Sequence, residues 1–104
     1  FNQPVFAAMK NSAFLINTAR GALIEDEDLI SAIKNKEIAG AAIDVFDEEP
    51  PPSNHPLIRE SFHNLIITPH IAWAAVEARQ RALECIAKNI DAFLKDKPKN
   101  IVNA

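Results

Sequence analysis

Glycine is almost absent from the sequence: only Gly21 and Gly40 occur in 104 residues. A glycine-rich phosphate loop of the form G-x-G-x-x-G therefore cannot be written anywhere in it. Cysteine is rarer still. Cys85 stands alone, which excludes an internal disulfide, and its place inside a helical pattern reads as a core or boundary thiol. No apolar run approaches the roughly 20 residues of a membrane span, and no charged-then-apolar leader opens the chain. The net charge of -3, with the signs mixed, forms no basic stripe and argues against nucleic acid or an anionic membrane as partner. The three histidines lack zinc-ligand spacing and a thiolate cluster, so no metal site is expected. There is no repeat and no low-complexity tract. The balance points to a cytoplasmic protein. The chain begins at Phe1 and its one methionine is Met9, so a piece of a longer protein is expected.

What is present is an ordinary globular composition, 48% hydrophobic and 24% charged, arranged as short apolar runs between amphipathic stretches. Pro4 to Lys10 reads as a short helix with proline in its first turn. Ala13 to Asn17 reads as a buried strand. Glu25 to Asp28 place four acids at the start of a helix with Leu29, Ile30 and Ile33 on one face, complementing the helix dipole. Ala39 to Val45 lacks polar alternation, as expected of a strand covered on both faces. The stretch from Asp47 to Pro56 holds Pro50, Pro51, Pro52 and Pro56 and reads as a stiff loop. Leu65 to Thr68 is a third brief strand.

From Trp73 to Lys95 apolar residues recur at helical spacing (Val76, Leu83, Ile86, Ile90, Phe93, Leu94). Glu77 with Arg81, Glu84 with Lys88 and Asp91 with Lys95 form favourably ordered pairs four apart. Pro98 ends the helix. Strands alternating with helices predict an α/β architecture with a parallel sheet. Three strands make a thin sheet with two exposed edges, which again suggests that more of the sheet lies outside this chain.

Arg20, Glu49 and His70 each fall just past one of these apolar runs. In an open parallel sheet the strand carboxyl ends point at one crevice, where ligands bind. Taken singly, each has an ordinary reading: Arg20 as a surface ion-pair partner, Glu49 as one of several solvated loop acids beside Asp47 and Glu48, His70 as a cap on the long helix. His55 and His63 read as surface residues.

Three segments, Ile16-Asn17-Thr18-Ala19-Arg20-Gly21, Gly40-Ala41-Ala42-Ile43-Asp44-Val45-Phe46-Asp47-Glu48-Glu49-Pro50 and Thr68-Pro69-His70-Ile71-Ala72, together resemble the consecutive motifs of the D-isomer-specific 2-hydroxyacid dehydrogenases. Phe6 to Lys10 is similar to the helix preceding the first motif. Each motif alone is weak, but three in order with family-like spacing are specific, and they span essentially the whole chain. Pro69 to Ala74, with Glu77 to Arg81 behind it, is most similar to the glycerate dehydrogenase (hydroxypyruvate reductase) branch.

The resemblance implies a fold and a set of roles. The fold would be the C-terminal, nicotinamide-side part of a Rossmann-type parallel sheet flanked by helices, from a larger two-domain protein. Arg20 would hold the substrate carboxylate, for which a planar guanidinium is suited. His70 would exchange a proton with the carbonyl or hydroxyl oxygen, since imidazole titrates near the working pH. Glu49, five residues beyond Asp44 in the family pattern, would orient His70 and favour its charged form. Asp44 would accept from the nicotinamide carboxamide, and Thr18 and Ala19 would line the ring through backbone groups. Trp73 would wall the substrate pocket or, equally, pack at a helix start.

The implied cofactor is NAD or NADP, the substrate a small 2-hydroxy or 2-keto acid, and the full-length assembly a homodimer. The family's Gly-rich loop, its ribose-binding acid and its substrate domain find no counterpart here, apart from any short crossing strand at Asn100 to Ala104. Lys36 stands where the family usually has glycine, with Asn35 expected to take the left-handed cap instead. The isolated segment is expected to be inactive. Two other readings stay open: an NAD-gated interaction module like the family's co-repressor relatives, and a truncated remnant that associates through exposed sheet edges.

Overall fold

The computed structural model describes residues 1–102. Three parallel strands run in the order β1 (Phe14–Asn17), β2 (Gly40–Ile43), β3 (Leu65–Ile67). Leu15 lies opposite Ala41 and Ala41 opposite Leu65, while Asn17, Ile43 and Ile67 form the last paired row. The helices are α1 (Gln3–Ala8), α2 (Asp26–Lys34), the single turn α3 (Pro56–Arg59) and α4 (Val76–Leu94), with a 3-10 turn at Gly21–Leu23. The expected α/β alternation and parallel sheet are thus present. The element ends agree with the expected limits to within three residues, mostly falling inside them, while α1 starts one residue earlier, at Gln3.

The chain forms two compact units, one from Phe1 to Ala72 and one from Trp73 onward. In the first, one face of the sheet is packed. Leu15, Ala41 and Ile43 cluster with Phe6 of α1, with Leu29, Ile30 and Ile33 of α2, and with Ile38 and Leu57. The apolar face of α2 is the reason that helix forms, with Asp26, Glu27 and Asp28 in its first turn and Lys34 in its last. Asp28 also accepts the Gln3 amide at 2.9 Å, tying α1 to α2.

The other face is open, and this corrects the expectation of a fully buried first strand. Burial alternates along β1, leaving Phe14 and Ile16 exposed, with Ile66 of β3 exposed as well. Ile16 and Ile66 flank Ala42 in one row, so the open face is apolar.

Helix α2 ends in a Schellman arrangement: Lys36 N–H donates to Ile33 O (3.2 Å) and Glu37 N–H to Ala32 O (2.9 Å). Lys36 takes the left-handed conformation (φ 58°) and Asn35 stays right-handed, reversing the expected assignment. Gly40 is required by a close approach, since a Cβ there would lie 2.4 Å from the Asn64 carbonyl oxygen.

In the second unit α4 closes the same way, with Asp96 left-handed (φ 55°) and Lys97 N–H on Ala92 O at 2.9 Å. Asp91 and Lys95 pair at 2.8 Å, while Glu84 accepts from Gln80 at 3.1 Å. Its expected apolar stripe is solvent-exposed at Leu83, Ile86, Ile90, Phe93 and Leu94, and Cys85 is exposed rather than in a core. Asn100 to Val102 is irregular; the remainder of the expected crossing strand, residues 103–104, lies outside the described residues.

Candidate active site at the strand carboxyl ends

Beyond the last paired row the three strands release their chains into loops on one rim. After β3, His70 adopts a left-handed backbone (φ 54°), and its N–H donates to Asp44 O (2.9 Å) and Thr68 O (3.1 Å). This turn sets the imidazole against the loop that follows β2, with Nδ1 2.6 Å from Glu49 Oε2. An ionised carboxylate can only accept, so Nδ1 carries the proton and Glu49 fixes the tautomer. In this tautomer Nε2 is the ring nitrogen with a lone pair that can take up a proton.

The other oxygen of Glu49, Oε1, accepts the Phe46 amide at 2.9 Å. The His70 hydrogen bond is the main cause holding the Glu49 carboxyl below its ordinary value, with the Phe46 amide second. Both side chains keep contact with solvent. They share a half-open cleft of about 510 Å³ whose walls include Asp44, Pro50, Ile58, Ile67 and Thr68.

Asp44, at the end of β2, is buried beneath this turn. Its Oδ1 accepts the Thr68 hydroxyl (2.5 Å) and the Ile71 amide (2.9 Å), and its Oδ2 accepts the Ala72 amide (2.9 Å). The Thr68 hydroxyl is the largest cause lowering the Asp44 carboxyl, against the opposing effect of desolvation, with the two amides and His70 adding to it. Asp44 therefore clasps the 68–72 segment to β2. One acceptor position of Oδ2 remains for a further donor.

Arg20 leaves the end of β1 in a turn built by Asn17. The Asn17 amide donates to Arg20 O (2.8 Å), and its Oδ1 accepts the Ala19 amide (3.0 Å). The guanidinium of Arg20 donates to Ala19 O at 2.6 Å, and it is not part of the cleft wall. A Cβ on Gly21 would lie 2.3 Å from both the Asp47 nitrogen and the Phe46 carbonyl carbon, so the Arg20–Gly21 turn rests directly on the loop that carries Glu49. Of the expected residues, Glu49, His70 and Asp44 are drawn into one cluster and Arg20 joins it through backbone packing. The Ala19 amide and carbonyl are both engaged within the turn. Trp73 belongs to the second unit, with the Arg79 guanidinium 5.8 Å from its ring centroid.

Sequence reasoning missed Asn17 and Thr68, whose signal is a polar side chain ending an otherwise apolar strand. It also misread His55, whose ring is largely buried with Nε2 3.0 Å from Asp26 Oδ2.

Fold and site together define a parallel α/β domain that sets a carboxylate-bound imidazole at the carboxyl ends of its strands, the position at which such sheets bind ligands. The chain belongs to the D-isomer specific 2-hydroxyacid dehydrogenase family: that family's NAD binding domain matches residues 1–72.

Over 103 residues the chain is 50% identical to a glyoxylate reductase of Thermofilum pendens, covering 98% of this chain and 30% of that protein. It is 46% identical over 96 residues to a glycerate dehydrogenase of Methylorubrum extorquens, covering 92% and 31%. Among solved structures it resembles an acyclic imino acid reductase in complex with NADPH and D-Arg, with TM-score 0.77, 34% identity and coverage of 97% and 31%. The chain thus spans about 30% of the length of the curated relatives it matches.

Proposed function

We propose that the protein carrying this chain is an NAD(P)-dependent oxidoreductase that interconverts a small D-2-hydroxy acid and its 2-keto acid, with glycerate and hydroxypyruvate as the preferred pair. The observation that carries this reading is the 2.6 Å contact between His70 Nδ1 and Glu49 on the rim that also receives Arg20. In the direction of reduction, His70 Nε2 gives its proton to the carbonyl oxygen, and Glu49 stabilises the imidazolium before the transfer. Arg20, once it leaves Ala19 O, binds the substrate carboxylate and fixes C2. In oxidation the same imidazole takes the hydroxyl proton.

The nicotinamide would supply or accept the hydride at C2. The donor set fits its carboxamide, because Asp44 keeps an acceptor position on Oδ2 and adjoins His70. Thr18 and Ala19 at the end of β1 would flank the ring. With only Gly21 and Gly40 available, phosphate contacts come from outside these residues, and the segment alone turns over no substrate.

Relatives named for glyoxylate, glycerate and hydroxypyruvate support the substrate class. We assign the protein to the cytoplasm as a homodimer, on family habit and on charge. Among the described residues no helix is long and apolar enough to cross a membrane.

A panel of hydroxypyruvate, glyoxylate and pyruvate with NADH and NADPH, run on the full-length protein, tests the proposal. His70→Gln should lower kcat by roughly 10²–10⁴-fold, the usual contribution of a general acid–base group. Arg20→Leu should act chiefly by raising KM for the keto acid. Undiminished turnover in His70→Gln would overturn the assignment.

A further inference from the structure

The loop that presents Glu49 carries four prolines and makes few regular backbone bonds, yet Glu49 must meet His70 within hydrogen-bonding distance. Its far end is tied to the body of the domain. His55 Nε2 contacts Asp26 Oδ2 at 3.0 Å, joining the loop to the first residue of α2. The His55 ring meets the Phe46 ring edge to face, with centroids 5.0 Å apart and planes at 81°. Phe46 in turn donates its amide to Glu49 Oε1 at 2.9 Å.

The contacts form one path from Asp26 through His55, Phe46 and Glu49 to His70. Among the described residues the bond to Asp26 is the His55 ring's one polar tie, because Nδ1 is buried with no hydrogen-bond partner. Burial raises the Asp26 carboxyl from its ordinary value; His55 draws it back down, while the nearby charges of Asp47 and Glu25 push it up. Asp26 is thus an acid in a crowded negative setting for which His55 is the counter-group.

We propose that His55, held by Asp26, is a positioning residue for the acid–base pair: it sets Phe46, whose amide keeps Glu49 on His70. This rests on the catalytic reading of Glu49 and His70 given above. Aromatic packing alone does not suffice in this scheme, because a ring without the tie to Asp26 can slide along Phe46 and carry the loop with it. Displacement of a catalytic group by about 1 Å lowers turnover by up to 10²-fold.

The test compares variants of the full-length protein during hydroxypyruvate reduction. His55→Phe keeps a ring against Phe46 and removes the donor. It should lower kcat roughly tenfold to a hundredfold with the KM for the dinucleotide unchanged. His55→Gln places an amide donor near Nε2 and should recover most of the loss. Asp26→Ala removes the acceptor from a partly exposed position and should lower kcat with the KM for the dinucleotide unchanged.

The double variant His55→Phe with Asp26→Ala should lose no more than His55→Phe does. Wild-type kcat in both His55→Phe and Asp26→Ala overturns the inference, as does additivity in the double variant. A failure of Gln to rescue, with kcat and thermal midpoint falling together in every variant, also overturns it. Glu49→Gln runs alongside. If Glu49→Gln keeps full turnover, the catalytic reading itself fails; if it loses turnover while His55→Phe does not, only the positioning role falls.

Discussion

Replacing Asn17 with aspartate tests whether a single buried amide shapes the Arg20 turn. Asn17 is 6% exposed, and it both donates to Arg20 O at 2.8 Å and accepts from the Ala19 amide at 3.0 Å. Asn17→Asp keeps the volume and the acceptor but turns the donor into an oxygen facing the Arg20 carbonyl oxygen. One hydrogen bond is lost, worth about 0.5–1.5 kcal/mol, and a buried charged oxygen is left unmatched at a further cost of about 1–3 kcal/mol.

The expected destabilisation is about 2–4 kcal/mol at neutral pH, a large share of the roughly 5–15 kcal/mol that holds a domain folded. Burial raises the pKa of the introduced carboxyl in the folded state above its unfolded value. The deficit is therefore present at neutral pH and shrinks as acid protonates the group, whose hydroxyl can then donate to Arg20 O. Asn17→Ala loses both bonds, at about 1–3 kcal/mol, without adding a charge, so its deficit should be independent of pH. Urea unfolding of the three proteins at neutral and mildly acidic pH reads both effects. A neutral-pH deficit below about 0.5 kcal/mol would refute the reasoning, since one lost bond already costs that much. A deficit unchanged in acid would refute it too.

The left-handed Lys36 (φ 58°) makes Lys36→Gly a stabilising change. Relief of about 1–2 kcal/mol of left-handed strain, less the roughly 0.5–1 kcal/mol that glycine loses to unfolded-state freedom, leaves a gain of about 0.5–1 kcal/mol in denaturant unfolding. A loss would show that the Lys36 side chain carries a contact worth more than the strain. Asp44 and Glu49 are both held below their ordinary values of 3.8 and 4.5, so each stabilises the fold above those values and ceases to as pH falls through the lowered ones. Stability should decline in that acid window. Asp44→Asn should lower stability at neutral pH and flatten the decline; a decline as steep as in wild type would remove Asp44 from the account.

The strands were legible because each is a short apolar run bounded by polar or proline-rich sequence, and a parallel sheet needs no alternation. The same apolarity concealed which side of β1 is covered, since Phe14 and Ile16 look no different in sequence from Leu15. Glu49 and His70 were legible through their motifs. Asn17 was not, because its signal, a polar residue ending an apolar strand, does not tell that the side chain bonds its own turn. His55 escaped for the opposite reason: its partner Asp26 is distant in sequence and meets it only through the fold. Asn35 and Lys36 are a case of local chemistry misjudged by one residue. The Schellman bonds from Lys36 and Glu37 fix the left-handed position by counting from Ile33 and Ala32, whatever side chain stands there.

The last paired row, Asn17, Ile43 and Ile67, has a consequence for how such a site can vary. Arg20, Phe46 and His70 each lie three residues beyond it, so the sheet acts as a gauge that sets three working parts to one height. Changes of length in the 47–56 loop leave that gauge untouched but move Glu49 and His55, which the loop carries, and so reshape the cleft wall against His70. A one-residue insertion within a strand would instead put one part out of step with the other two and turn its side chains to the wrong face. Variation is thereby channelled into the loops, Glu49 and His55 included, while the heights of Arg20, Phe46 and His70 are inherited with the sheet.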